Sequence, residues 1–125
     1  MTVKTVLNKN EEREFIRKDI LDSFQIFMTI PYFGSQKISI MDMSMKGLSF
    51  RAEPGMKIKE GAKFDCYLYL NTSIRIPLQL SIIHKIDDCG ISRAGCEISD
   101  TGNSAYRAYS AFIDLMHTLE KIKDR

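Results

Sequence analysis

Five residues of this chain combine types and spacings suited to holding a polar, negatively charged ligand. Arg13 and Arg17 stand four apart. On a helix they share a face and in an extended segment a side, so two guanidinium groups can aim at one target. Further on come Asp42, Ser44 and Gly47, a polar knot between the alternating apolar runs Ile38/Ile40 and Leu48/Phe50. This reads as a hairpin whose connection does more than connect. Asp and Ser side chains bond local backbone there, and Gly47 is expected to supply the positive φ of a tight turn. Taken singly each half is ordinary: an Arg pair often trades ion pairs with neighbours such as Glu12, Glu14 or Asp19, and Asp-x-Ser-x-x-Gly is a common turn. Together, in this order and ahead of a run of strands, they are far more specific.

Other chemistry is thin. His84 ends an apolar strand and His117 lies on the charged side of the last helical run, neither spaced from a Ser, Cys or carboxylate as a catalytic group would be. Both are expected at the surface or rim. No glycine-rich phosphate loop occurs. Cys66, Cys89 and Cys96 are odd in number and far apart, which suits neither a disulfide framework nor a zinc site. Cys66 and Cys96 alternate with apolar neighbours and are expected as buried free thiols, consistent with a reducing cytoplasm. No catalytic residue, metal or cofactor is expected.

The elements that must position these residues follow from pattern. The 125 residues are 44% hydrophobic and 27% charged, with a net charge of +2. That is one domain's length, with too small a bias for sequence-independent nucleic-acid binding. Neither a signal peptide nor a membrane span is expected. Residues 1–10 read as a loose arm and 11–22 as a charged segment capable of a turn or two of helix. Phe24, Ile26, Met28 and Ile30 alternate as a strand, then Lys37–Met43 and Leu48–Ala52 as the hairpin. Phe64, Cys66, Leu68 and Leu70 line another strand. Ile74, Ile76, Leu78, Leu80 and Ile82 give the clearest period of two, with Pro77 demanding an edge or a bulge. After Ile91–Ile98, the cap-rich Asp100–Ser104 leads to Ala105, Tyr109, Phe112, Met116 and Leu119, spaced as a helix. That helix is expected to close the sheet or pair with another copy. About six strands with short connections make a barrel or a sandwich.

The chain resembles the PilZ domain family, receptors for the bacterial second messenger cyclic di-GMP. The family pattern is Arg-x-x-x-Arg followed by Asp- or Asn-x-Ser-x-x-Gly, and Arg13, Arg17, Asp42, Ser44 and Gly47 match every defined position. The run Arg93–Ile98 is similar to the family's last strand. The resemblance runs from residue 11 to residue 119. It implies a mainly β protein: a flexible N-terminal arm over 1–10, then a PilZ domain over 11–125 made of a switch segment over 11–22, a six-stranded antiparallel barrel over 23–99 and a C-terminal helix over 103–123.

The resemblance further implies that these five residues bind cyclic di-GMP, a dianion with two guanine bases. Arg forks pair bidentately with phosphate or with guanine O6 and N7 and stack on the base. Asp42 would accept from guanine N–H groups, Ser44 would donate to phosphate or steady Asp42, and Gly47 would allow close approach. Family members often carry a further Arg beside the first; Glu12 and Glu14 flank Arg13 instead, which favours weaker binding or one ligand per site. Read as a single cytoplasmic, non-enzymatic domain, the chain is expected to signal through a protein partner, to motility, exopolysaccharide or virulence. The alternative is a nucleotide-free PilZ-like interaction module of pilus or flagellar assembly. An RNA-binding barrel ranks low, because the strands offer little sign of exposed aromatics beside a basic groove.

Overall fold

In the computed structural model, residues 15–16, 18–88 and 90–123 are described. The expected arm over 1–10, both motif arginines with Glu12 and Glu14, and Cys89 lie outside them. Helix α1 (Lys18–Ser23) precedes strands β1 (Phe27–Thr29), β2 (Ile38–Met43), β3 (Gly47–Ala52), β4 (Lys63–Tyr69), β5 (Arg75–Asp88) and β6 (Ile91–Ile98), and helix α2 (Ser104–Lys123) follows. The strands form a closed antiparallel barrel in the order β1-β2-β3-β6-β5-β4, with β4 returning to β1. The period of two explains the closure. Ile38 and Ile40, Leu48 and Phe50, Cys66 and Leu68, Ile76 to Ile82, and Ala94 to Ile98 put alternate side chains into one core. At roughly 1.5–3 kcal/mol for each large apolar side chain buried, this core is the main favourable term.

The first strand is shorter than the alternation of Phe24 to Ile30 suggests. The backbone N–H of Ile26 donates to Leu21 O at 3.0 Å and that of Gln25 to Asp22 O at 3.0 Å, while Gln25 takes φ 57°. This is a Schellman cap, with Gln25 in the left-handed position and buried Ile26 and Leu21 as the accompanying apolar pair. Phe24 therefore belongs to the helix end and is exposed. Ile74 likewise drops out of its strand, because the Asn71 side chain accepts from the N–H groups of Ser73 and Ile74 and holds a turn there. Pro77 pairs with Tyr67 of β4, whereas β6 reaches β5 only from Leu80 onward. It thus sits on a local edge, as a residue without an N–H should.

Two register shifts matter more. One lies between Ile40 and Asp42 on β2, the other between Ile82 and His84 on β5. Each inserts an extra residue, Met41 and Ile83, and so reverses which side chains face out. Strict alternation from Ile40 would send Asp42 into the core, and from Ile82 would do the same to His84. The bulges turn both outward.

Helix α2 starts at an Asn103 cap, whose side chain accepts from Tyr106 N at 2.8 Å. Its core face is Tyr109, Ile113 and Met116, with Ala105, Phe112 and Leu119 partly buried beside them. Among the described residues no helix is long and apolar enough to cross a membrane.

Candidate functional site

With Asp42 turned outward, its carboxylate lies opposite Ser49 across the β2–β3 pair. Ser49 Oγ donates to Asp42 Oδ1 at 2.9 Å, and Arg93 of β6 donates through Nε to Ser49 Oγ at 3.1 Å and through Nη2 to Asp42 Oδ2. The three side chains form a closed ring in which each proton has one acceptor. Two of the five guanidinium N–H groups are used, so the outer edge of Arg93 keeps free donors. The ion pair is partly exposed, with Arg93 at 41% and Asp42 at 23%, so its worth lies in fixing the carboxylate more than in stability.

The ring continues across the barrel. Ser49 pairs with Gly95, and Gly95 with His84. A Cβ on Gly95 would stand 2.4 Å from His84 Cε1 and 2.6 Å from Nε2, so the imidazole lies flat over the glycine. Asp42, Ser49, Gly95 and His84 thus form one outward row on four neighbouring strands, with Arg93 alongside. His84 is exposed, as expected, yet seated on a fixed platform. His117 is half-buried, 3.4 Å from Glu120 through Nδ1.

The turn between β2 and β3 is held from behind. Ser44 N donates to Gly47 O at 2.8 Å and Ile98 N to Lys46 O at 2.9 Å. From α2, the Tyr109 hydroxyl lies 2.7 Å from Ser44 O and 3.0 Å from Gly47 O, and the Tyr106 hydroxyl donates to Met45 O at 2.9 Å. Burial pushes the Tyr109 phenol well above the usual tyrosine range, so it remains a donor.

Two expectations need correction. Gly47 is absent from the positive-φ residues. It is glycine because a Cβ there would stand 2.0 Å from Cys96 O on β6, and the value of the small residue is close strand approach. Ser44 does not steady Asp42. It is buried, its Oγ reaches Gly47 O at 3.4 Å, and Ser49 holds the carboxylate in its place. Arg93 and Ser49 were legible only faintly, as polar residues at outward positions of apolar strands, and His84 not at all, since the bulge at Ile83 is what turns it outward.

One segment of the N-terminal region reaches this place. Ile16 is fully buried, and its N–H donates to Met43 O at 2.8 Å in an isolated bridge. Arg13 and Arg17 lie outside the described residues.

Elsewhere the surface is more aromatic and basic than the sequence suggests. Tyr32 packs edge to face on Phe33 and on Phe64, and Tyr32 and Phe64 line a groove of about 640 Å³ together with Lys57, Lys59 and Lys63. On the outer side of β1 and β4, Phe27 stacks on Tyr69 at 4.6 Å, Lys37 lies over Phe27, and Arg75 lies over Tyr67. In that second cluster the cations are spent on the protein's own rings. Among the described residues no group of three metal-ligating side chains comes together, and Cys66 and Cys96 are free and buried.

A closed six-stranded antiparallel barrel followed by a C-terminal helix is the architecture of PilZ domains. The chain has that fold. It is similar to the inhibitor of motility MotI/DgrA from Bacillus subtilis, with TM-score 0.60 and 10% identity over 80% of this chain and 47% of that one. It is also similar to YcgR in complex with c-di-GMP from Escherichia coli, with TM-score 0.63 and 13% identity over 79% of this chain and 43% of that one. The isolated PilZ domain of YcgR with c-di-GMP gives TM-score 0.59 and 14% identity, over 79% of this chain and 86% of that one. This chain spans less than half the length of the first two proteins, and at these identities the likeness is one of fold. No family profile and no curated protein matches the sequence.

Proposed function

We propose that this protein is a non-enzymatic receptor for cyclic di-GMP, which it binds between the Arg13–Arg17 segment and the outward row of Asp42, Ser49, Arg93 and His84. The observation that carries this reading is the bridge from Ile16 to Met43. Ile16 precedes Arg17 in the sequence and Met43 follows Asp42, so a bridge between them supports a site that draws on both halves of the pattern. The solved structures of similar fold that carry c-di-GMP support it.

The chemistry is complementary. Arg13 and Arg17 neutralise the phosphates or fork onto guanine. Asp42, pre-set by Ser49 and Arg93, accepts from guanine N–H groups. The guanidinium of Arg93 and the imidazole of His84 offer flat faces to a base. Ser44 and Gly47 keep the turn in shape and lie behind the contact surface. Glu12 and Glu14 oppose a second dianion, so one ligand binds per site. Binding changes how the N-terminal arm meets the barrel and so the surface offered to a protein partner, with motility control as the output, in keeping with the MotI likeness.

Calorimetric titration of the full chain with cyclic di-GMP tests this, beside a GMP control and Arg17→Ala. Saturable heat with a stoichiometry near one is expected. A charge-assisted hydrogen bond is worth about 1.5–3 kcal/mol, so Arg17→Ala should weaken binding roughly 10- to 150-fold. Absence of heat and of any thermal shift at high ligand would overturn the receptor reading. The alternative, a nucleotide-free interaction module, draws on the ring itself: both Asp42 oxygens already have partners within the chain. It predicts that outcome.

A further inference from the structure

Helix α2 carries a second stripe that no described residue covers. About 140° around the helix from Tyr109, Ile113 and Met116, at roughly 100° per residue, Ala108, Ala111, Leu115, Thr118 and Ile122 are all exposed. Leu115 is 54% exposed and Ile122 61%. The intervals of three, four, three and four are those of a heptad seam. Thr118 suits such a seam, because its Oγ1 donates to Asp114 O of its own helix at 3.1 Å. Its polar atom is thereby satisfied, and the methyl group is what remains to pack.

We propose that this stripe is a self-association surface whose occupant is α2 of a second copy, packed antiparallel. The charges beside the seam select the arrangement. Arg107, Asp114 and Lys121 follow one border at intervals of seven. They are exposed, and none of them has an ion pair among the described residues. Phe112 and Leu119 form the other border and pack toward the barrel. A parallel pair would set the charged border of one helix against the apolar border of the other. An antiparallel pair brings the two charged borders together.

One register then satisfies both size and charge. With Leu115 opposite Thr118 of the partner subunit, Ala111 faces Ile122 of the partner subunit, so a small side chain meets a large one in each layer. In that register Asp114 meets Lys121 of the partner subunit, and two-fold symmetry repeats the pair. Sliding by one heptad would set Asp114 against its own copy and Arg107 against Lys121 of the partner subunit, like charges in both cases. The charge pattern therefore admits one alignment and penalises its neighbour. Two heptads bury little area, so the dimer is weak and concentration-dependent.

Sedimentation of the full chain from about 5 to about 500 µM tests the proposal across the range where a small interface associates. A reversible monomer–dimer equilibrium is expected. Leu115→Glu should leave a monomer with an unchanged melting temperature, since the residue is exposed. Asp114→Lys and Lys121→Asp should each weaken the dimer by about tenfold or more, because symmetry doubles the like-charge contact. The double variant D114K/K121D should restore it. A monomer at the highest concentration, or a dimer indifferent to Leu115→Glu, would overturn the proposal. Failure of the double variant to recover over either single one would overturn the antiparallel pairing.

Discussion

Replacing Gly47 by Ala asks what the motif's glycine is for. The added Cβ would stand 2.0 Å from Cys96 O, 2.9 Å from Cys96 C and 3.0 Å from Glu97 Cα. Ordinary carbon contacts are near 3.5 Å, so the closest of these is about 1.5 Å too short. Every atom in the way is backbone, and no side chain can rotate aside. Strands β3 and β6 must part where Gly47 pairs with Glu97, straining the turn that Tyr109 and Ser44 hold. Overpacking of this kind costs about 3 kcal/mol, a large share of a typical stability of about 5–15 kcal/mol. For a domain of this size the melting temperature should fall by about 10–15 °C. Thermal melts followed by circular dichroism, with urea titration as a second measure, read the effect. Gly102→Ala is the control, since only Asp100 Oδ1 at 3.8 Å lies near its Cβ. Gly55→Ala separates conformation from contact. Gly55 has φ 95° and open space around it, so its cost of about 1 kcal/mol comes from backbone strain alone. A Gly47→Ala protein melting within about 2 °C of the parent would refute the close-approach argument, because that shift corresponds to well under 1 kcal/mol.

Tyr109→Phe should cost about 1–3 kcal/mol, because it leaves Ser44 O buried without its donor; Tyr106→Phe, at a part-buried bond, should cost less, and chemical denaturation of the two ranks them. Arg93→Ala should lower stability by no more than about 1 kcal/mol yet weaken cyclic di-GMP binding about tenfold or more, and calorimetry beside denaturation separates the two effects. Burial pushes the Cys66 and Cys96 thiols up to about 12 from an ordinary 9.0. Below pH 9 both folded and unfolded chains hold these protons, so the thiols add no pH dependence. Between 9 and 12 only the unfolded chain releases them, and each thiol lowers stability by roughly 1.4 kcal/mol per pH unit. Urea midpoints from pH 8 to pH 10.5 should therefore fall less steeply in Cys66→Ala than in the parent, and equal slopes would contradict the burial argument.

Much of this architecture could be read in advance because its causes are local. The alternation from Ile76 to Ile82 and the spacing of Tyr109, Phe112 and Met116 each follow from one element burying one face. The parts that could not be read depend on partners far along the chain. Ser49 is an unremarked polar position until Arg93, 44 residues later, arrives beside it. Gly47 looks like a turn residue because the strand that crowds it comes fifty residues on. The bulges at Met41 and Ile83 are set by how the barrel closes, although the apolar pair Ile40-Met41 breaks the alternation and was a visible trace. Gln25 has no sequence signature for its left-handed backbone, which the Leu21–Ile26 apolar contact enforces.

The hydroxyls that α2 lends to the β2–β3 turn also give that turn an electrical sense. The carbonyls of Ser44, Met45, Lys46 and Gly47 all point at partners within the fold. In a planar trans peptide the following N–H points the opposite way. The N–H groups of Met45 and Lys46 are therefore directed away from the tyrosines that capture the carbonyls before them. The turn's carbonyls are thus spent on the fold, so whatever approaches it beside Asp42 meets main-chain donors that these bonds leave unused and no main-chain acceptor that they leave bare.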